Sequence, residues 1–188
     1  RPAPEHRGRP LRVGPGLPAL VPLCTVQPGM TTKPQLEPVG AARAAAAREV
    51  AAALQGARRV ALTTHVNADG DGVGSEIALV HLLTALGKQV AIANPSPIPE
   101  RYAFLREPVT ALDRTGDAIR ALRDADLFLV LDIADLGRLG NLGAPLARRG
   151  IVTACIDHHI SPGTLPAGPR LLDAAAAATG ELVYDLAA

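Results

Sequence analysis

Thr63-Thr64-His65-Val66-Asn67-Ala68-Asp69-Gly70-Asp71-Gly72-Val73-Gly74-Ser75 decides how the rest of the chain is read. An apolar run ends at its start and a helical pattern begins at its end, so His65, Asp69 and Asp71 fall in a short strand-to-helix loop. Two later stretches repeat the arrangement. Leu129-Val130-Leu131-Asp132 puts a carboxylate directly after an apolar run, and Cys155-Ile156-Asp157-His158-His159 puts a carboxylate and two imidazoles after another. In an open parallel sheet the carboxyl ends of the strands share one edge, where ligands bind, so these residues are expected to meet in space. Imidazole and carboxylate together suit hard or borderline divalent ions such as Mn²⁺ or Mg²⁺, and the expected chemistry is metal-dependent hydrolysis.

Working outward, residues 41–55 form an alanine-dominated helix, since alanine has the highest helix propensity, with Gly56 as its stop. Residues 59–64 read as a first strand and 72–86 as a helix, with Val73, Ile77, Val80, Leu83 and Leu86 at helical spacing. Residues 89–93, 127–131 and 151–156 read as further strands. The proline-rich 94–99 is a loop, 100–105 a short helix, 117–124 a helix, and 174–186 a closing helix. Strands alternating with helices predict an α/β fold, doubly wound, with a mainly parallel sheet and flanking helices.

Other readings of the first loop fail on particular residues. Gly70, Gly72 and Gly74 suggest a dinucleotide-binding turn, but the pattern breaks at Ser75, and two carboxylates beside a helix N-terminus would repel a pyrophosphate. A calcium-binding loop fails at Val73 and Val80, where oxygen ligands belong. A plain helix cap, with Asp71 as the N-cap, accounts for one carboxylate but not for His65 and Asp69. Asp132 ends an otherwise apolar strand, where a carboxylate is costly to bury unless paired or bound to metal. Asp135 and Arg138 are the better candidates for a capping role there. Successive residues of an extended segment point to opposite sides, so one of His158 and His159 can ligate metal while the other faces substrate.

In order and setting, His65-x-x-x-Asp69-x-Asp71, then Asp132-x-x-Asp135-x-x-Arg138-Leu139-Gly140, then Asp157-His158-His159 resemble the first three motifs of the DHH phosphoesterases. That family takes in RecJ-type exonucleases, manganese-dependent pyrophosphatases, exopolyphosphatases, cyclic-dinucleotide phosphodiesterases, and oligoribonucleases that also dephosphorylate 3′-phosphoadenosine 5′-phosphate. The last group is the one this sequence resembles most, in its first motif and in residues 176–186. The resemblance covers roughly residues 41–188. It implies a two-metal phosphoesterase carrying Mn²⁺, with Mg²⁺ or Co²⁺ as alternatives. His65, Asp69 and Asp132 would hold one ion and Asp71, Asp132 and His158 the other, with Asp132 bridging. It also implies that His159 contacts phosphate and that Asp157 supports the histidines. Asp173, Thr179 and Glu181 are expected to pack and cap the last helix. The implied partner is a phosphate-ester small molecule or short single-stranded RNA, and a homo-oligomer is compatible with the family. The family's fourth motif and smaller C-terminal domain have no counterpart after Tyr184, so a truncated DHH domain is expected over residues 40–188.

Composition sets the remaining bounds. With a net charge of +1, no global field attracts nucleic acid. Two cysteines, Cys24 and Cys155, do not make a disulfide framework, and a reducing cytoplasm is the expected setting. Cys155 is expected to point into the core. Tryptophan is absent, which leaves base stacking little beyond Tyr102, Phe104 and Tyr184. Residues 1–39 hold nine of the 17 prolines without helical or strand periodicity, and are expected to be a disordered leader, with Met30 as an alternative start. No membrane-spanning run is expected.

Overall fold

The computed structural model describes residues 39–106, 112–113, 117–133, 135–148, 150, 152–160 and 163–188. The leader expected over residues 1–39 lies, apart from Val39, outside them. Among the described residues there are six strands: β1 (Arg59–Thr63), β2 (Gln89–Ile92), β3 (Leu112–Asp113), β4 (Leu127–Leu131), β5 (Thr153–Asp157) and β6 (Arg170–Leu172). They form one sheet in the order β3-β2-β1-β4-β5-β6. Every pairing is parallel, with Val60 opposite both Val90 and Leu127, and Ile156 opposite both Leu131 and Leu171.

Strand periodicity sorts the core into two layers. Val60 and Leu62, Leu127, Leu129 and Leu131, and Ala154 and Ile156 face one way. They pack with Val50 and Leu54 of helix α1 (Ala41–Gly56), Val73, Val80 and Leu83 of α2 (Gly70–Ala85), and Leu182 and Val183 of α5 (Thr179–Ala187). Ala61, Phe128, Val130 and Cys155 face the other way. Their partners come from α3 (Ala118–Asp124), the 3₁₀ turn Leu136–Leu142 and α4 (Gly143–Arg148). Helices on both faces of a parallel sheet make the fold doubly wound, as the alternation of elements implied.

Some boundaries differ from the sequence reading, each for a local reason. Helix α2 begins at Gly70, because Asp69 and not Asp71 is the N-cap: its Oδ1 accepts from the backbone N–H of Asp71 at 3.0 Å and of Gly72 at 3.2 Å. Leu86 falls past the end of α2 and is exposed. The closing helix begins at Thr179, not at residue 174. Asp173 accepts from the N–H of Ala175, and Glu181 reaches back to the N–H of Ala177, so the alanine run is held as a turn. The 3₁₀ turn Leu136–Leu142 and α4 had no counterpart in the sequence reading. Asp135 caps the turn through the Gly137 N–H at 2.9 Å, the structural role expected of it.

The order of strands reverses between β1 and β4, where the chain has wound outward in both directions. The crevice at the carboxyl ends of those two strands is the ligand position of such sheets. Helix α2 approaches it closely. A Cβ added at Gly72 would stand 2.5 Å from Thr64 Oγ1 and 3.2 Å from Thr64 Cβ and Cγ2. Gly72→Ala is therefore expected to force α2 away from the end of β1 and lower stability by roughly 1–3 kcal/mol. Urea denaturation with an unchanged m-value checks this, and a variant as stable as wild type would show that the contact relaxes freely.

Candidate metal centre

Three strand ends deliver the predicted residues to one place. His65 lies two residues beyond β1, Asp132 directly beyond β4, and Asp157 closes β5 with His158 and His159 after it. The N-terminus of α2 adds Asp69 and Asp71. His65 Nε2 stands 3.8 Å from Asp69 Oδ2 and 3.6 Å from Asp132 Oδ2. His158 Nε2 stands 3.5 Å from Asp71 Oδ2 and 3.9 Å from Asp132 Oδ1. Asp132 thus lies between two histidines, with a different oxygen towards each.

The remaining ring nitrogens decide what those histidines can do. His65 Nδ1 lies 2.9 Å from the Val66 carbonyl, and His158 Nδ1 lies 3.2 Å from the Ala176 carbonyl. A carbonyl only accepts, so each neutral ring carries its proton on Nδ1 and turns the Nε2 lone pair to the carboxylates. That is the tautomer a metal ligand needs, fixed by a backbone hydrogen bond. His159 differs. Its Nδ1 is 2.7 Å from Asp157 Oδ1, which also accepts its backbone N–H at 3.2 Å. The same Nδ1 lies 3.5 Å from Asp132 Oδ1, but Asp157 is much the nearer acceptor. The hydrogen bond to Asp157 raises the His159 pKa, against the opposing effect of burial.

Two groups of ligand-type atoms lie within 4.8 Å of one another among the described residues: His65 with Asp69 and Asp132, and Asp132 with His158 and His159. The first is the set expected for one ion. The second contains His159 where Asp71 was expected, although Asp71 adjoins His158. With Nδ1 of His159 committed to Asp157, Asp71 remains the better third donor.

Asp132 carries the cost of the arrangement. It is fully buried, and its Oδ2 has no hydrogen-bond partner among the described residues. Its φ of 61° is a left-handed conformation uncommon outside glycine, asparagine and aspartate. Burial pushes its pKa up to about 6, opposed by a hydrogen bond from Thr179 and reinforced by Asp71 and Asp69. Burial also disfavours ionisation of Asp69, but the Gly72 N–H, His65 and the Asp71 N–H together hold that carboxyl below its usual range. A buried, strained carboxylate with an unpartnered oxygen facing an imidazole lone pair is what a cation would complete. The donor set fits a divalent metal.

Thr179 is the residue whose place here the sequence reading missed. Expected only to pack and cap the last helix, it donates its Oγ1 hydrogen to Asp132 Oδ1 at 2.9 Å. The sole signal was a hydroxyl residue opening a helix after a run of alanines. Asp173 and Glu181 hold structural positions, both paired with Arg43. Cys155 is buried, its thiol 3.2 Å from the Ile133 carbonyl and pushed up to about 12 by burial.

Comparison with known proteins identifies the family. The bifunctional oligoribonuclease and PAP phosphatase NrnA of Thermus thermophilus is 34% identical over 141 residues. The match takes in 73% of this chain and 38% of that protein, so the chain spans well under half the length of its curated relative. An exopolyphosphatase-related protein from Bacteroides fragilis shares the fold with a TM-score of 0.67 at 24% identity, over 76% of this chain and 42% of its own. RecJ from Thermus thermophilus, in complex with Mn²⁺, shares it with a TM-score of 0.52 at 21% identity, over 82% of this chain and 21% of its own. Residues 59–188, from β1 onward, match the DHH family, N-terminal domain, and the chain belongs to that family.

Proposed function

We propose that this chain is the metal-binding part of a phosphoesterase that hydrolyses short oligoribonucleotides, 3′-phosphoadenosine 5′-phosphate, or both, by a two-metal mechanism. The observation that carries the reading is Asp132, buried between two histidines whose tautomers suit metal ligation. The similarity to NrnA supports the substrate class. His65, Asp69 and Asp132 would hold one ion, and Asp71, Asp132 and His158 the other. Mn²⁺ is the ion of choice for this carboxylate and imidazole set, with Mg²⁺ and Co²⁺ as alternatives. Two such ions supply Lewis acidity that activates water and neutralises charge on the phosphoryl group.

The chain's own residues do the rest. Asp157 holds the proton of His159 on Nδ1 and fixes the ring, leaving Nε2 for the substrate. Because the Asp157 hydrogen bond raises its pKa, His159 is more often cationic than a free imidazole and can donate to a phosphoryl oxygen as charge builds there. We assign residues 40–188 to the DHH domain and residues 1–39 to a leader. No helix among the described residues is long and apolar enough to cross a membrane. A reducing cytoplasm suits the buried, unpaired thiol of Cys155. Homo-oligomerisation is part of the same proposal.

Two measurements test this reading. In Mn²⁺, the protein is expected to release phosphate from 3′-phosphoadenosine 5′-phosphate or mononucleotides from a diribonucleotide, with Asp69→Ala as the inactive control. Cleavage of pyrophosphate alone would move it to the pyrophosphatase and exopolyphosphatase branch, and two bound ions without any turnover would leave a metal-binding remnant. The histidine pair separates the roles. His158→Ala is expected to lose one of two ions by metal analysis. His159→Ala is expected to keep both and lower turnover roughly 10²–10³-fold. Equal metal loss in the two variants would make His159 a ligand.

A further inference from the structure

One helix start holds two of the carboxylates. The backbone N–H of Thr179 donates to Asp71 Oδ2 at 2.8 Å, and that of Gly180 donates to Asp71 Oδ1 at 2.9 Å. The Thr179 hydroxyl donates to Asp132 Oδ1 at 2.9 Å. Thr179 itself is fully buried. Helix α5 has no side-chain cap of its own, so Asp71, from more than a hundred residues earlier, caps it from α2. The two free N–H groups and the positive end of the helix are thereby satisfied by a carboxylate that faces His158.

A carboxylate with no hydrogen-bond donor rotates readily about its Cβ–Cγ bond. The Thr179 hydrogen bond removes that freedom from Asp132. It leaves Oδ2 aimed at His65 Nε2, 3.6 Å away, and Oδ1 towards His158. We propose that Thr179 is the positioning residue of the metal centre: it fixes the plane of the Asp132 carboxylate so that its two oxygens serve two different ions, while its own backbone orients Asp71. This rests on the two-metal reading above. Thr179 acts through the ligands and touches neither ion nor substrate.

The test uses the full chain with Mn²⁺. Thr179→Val keeps the shape of the side chain and removes the donor, and Thr179→Ser keeps the donor and removes the methyl group. Losing an outer partner of a metal ligand typically weakens binding about 10–100-fold, and that is the loss expected calorimetrically for Thr179→Val. The Mn²⁺ electron paramagnetic resonance spectrum should change from that of a coupled pair to that of isolated ions. Thr179→Ser is expected to bind and couple as wild type. Thermal melts of the metal-free variants show whether each is folded, and Thr179→Ala replaces the valine variant if that one melts early. Packing alone would predict that serine, without the methyl group, fails while valine binds as wild type, which would overturn the proposal. Wild-type affinity and coupling in Thr179→Val would also overturn it. Asp132→Asn, measured alongside, separates the two levels. Loss of Mn²⁺ there with none in Thr179→Val leaves the centre standing without its clamp, and no loss in Asp132→Asn removes the centre itself.

Discussion

Asp132→Asn is expected to abolish high-affinity Mn²⁺ binding and, in the same protein, to raise the stability of the metal-free state above pH 6. The two effects share one cause. The buried carboxyl has a pKa of about 6 in the folded chain against an ordinary value of 3.8. Between those values the folded state binds a proton more readily than the unfolded state, so stability falls as pH rises. It is unimpaired below about pH 4. Above the folded pKa the ionised carboxylate costs on the order of 3 kcal/mol. Asparagine does not ionise, and it can still accept from Thr179 through its own Oδ1. Thermal melts in chelator from pH 4 to 8 should therefore show a decline for wild type that the variant lacks. Parallel curves would mean that Asp132 is not desolvated as the structure shows. Added Mn²⁺ should reverse the order, since an ion bound only to the folded wild type stabilises it by mass action.

Arg43→Met is expected to have the second-largest effect, on the fold. The Arg43 guanidinium joins α1 to the end of β6 and to α5, in the same layer: Nε meets Asp173 at 2.7 Å, and one terminal nitrogen meets Glu181 at 2.7 Å and Asp185 at 2.9 Å. Its side chain is 15% exposed and that of Asp185 only 10%. Methionine fills a similar volume but leaves three carboxylates without their cation. Breaking a buried ion pair costs roughly 3–5 kcal/mol. Asp173 and Glu181 are partly solvated, at 28% and 40%, so the expected loss is lower, about 2–3 kcal/mol by urea denaturation. Lysine should not restore it, because an ammonium lacks the planar fork that reaches three partners. Since α5 carries Thr179, a fall in Mn²⁺ affinity should accompany the loss. Unchanged stability would place the cluster among surface pairs of no consequence.

Legibility from sequence followed the length of each signal. β4 was readable to the residue, because Leu127–Leu131 is wholly apolar and bounded by Asp126 and Asp132. The residues of the candidate site were readable because a charge directly after such a run has few structural explanations. β6 was not, since Leu171 is the only buried position of its three residues and no period can be seen in one residue. Which of Asp69 and Asp71 caps α2 was not readable, because two carboxylates compete two residues apart and only the extended backbone of Asp69 settles it. The start of α5 was misplaced because alanine propensity cannot compete with a cap delivered by Asp71 from another element. Thr179 was underrated for the same reason: its partner is 47 residues away in sequence.

The strand order described above also governs when the centre can come into being. As the chain leaves the ribosome, β1 can pair early with β2, but the position on its other side stays vacant until β4 has been made. His65, Asp69 and Asp71 therefore remain an incomplete set of candidate donors until then. Asp132 joins them with β4, His158 with β5, and the Thr179 hydroxyl only with the last helix. Parallel, non-local pairing of this kind is intrinsically slow to form. An ion held at the proposed site would engage the first three of these segments, so it would bind only once they are assembled and is expected to leave as they open. Its residence time becomes a clock for opening of the sheet, and metal exchange followed by isotope would read the breathing of β1 from β4 directly.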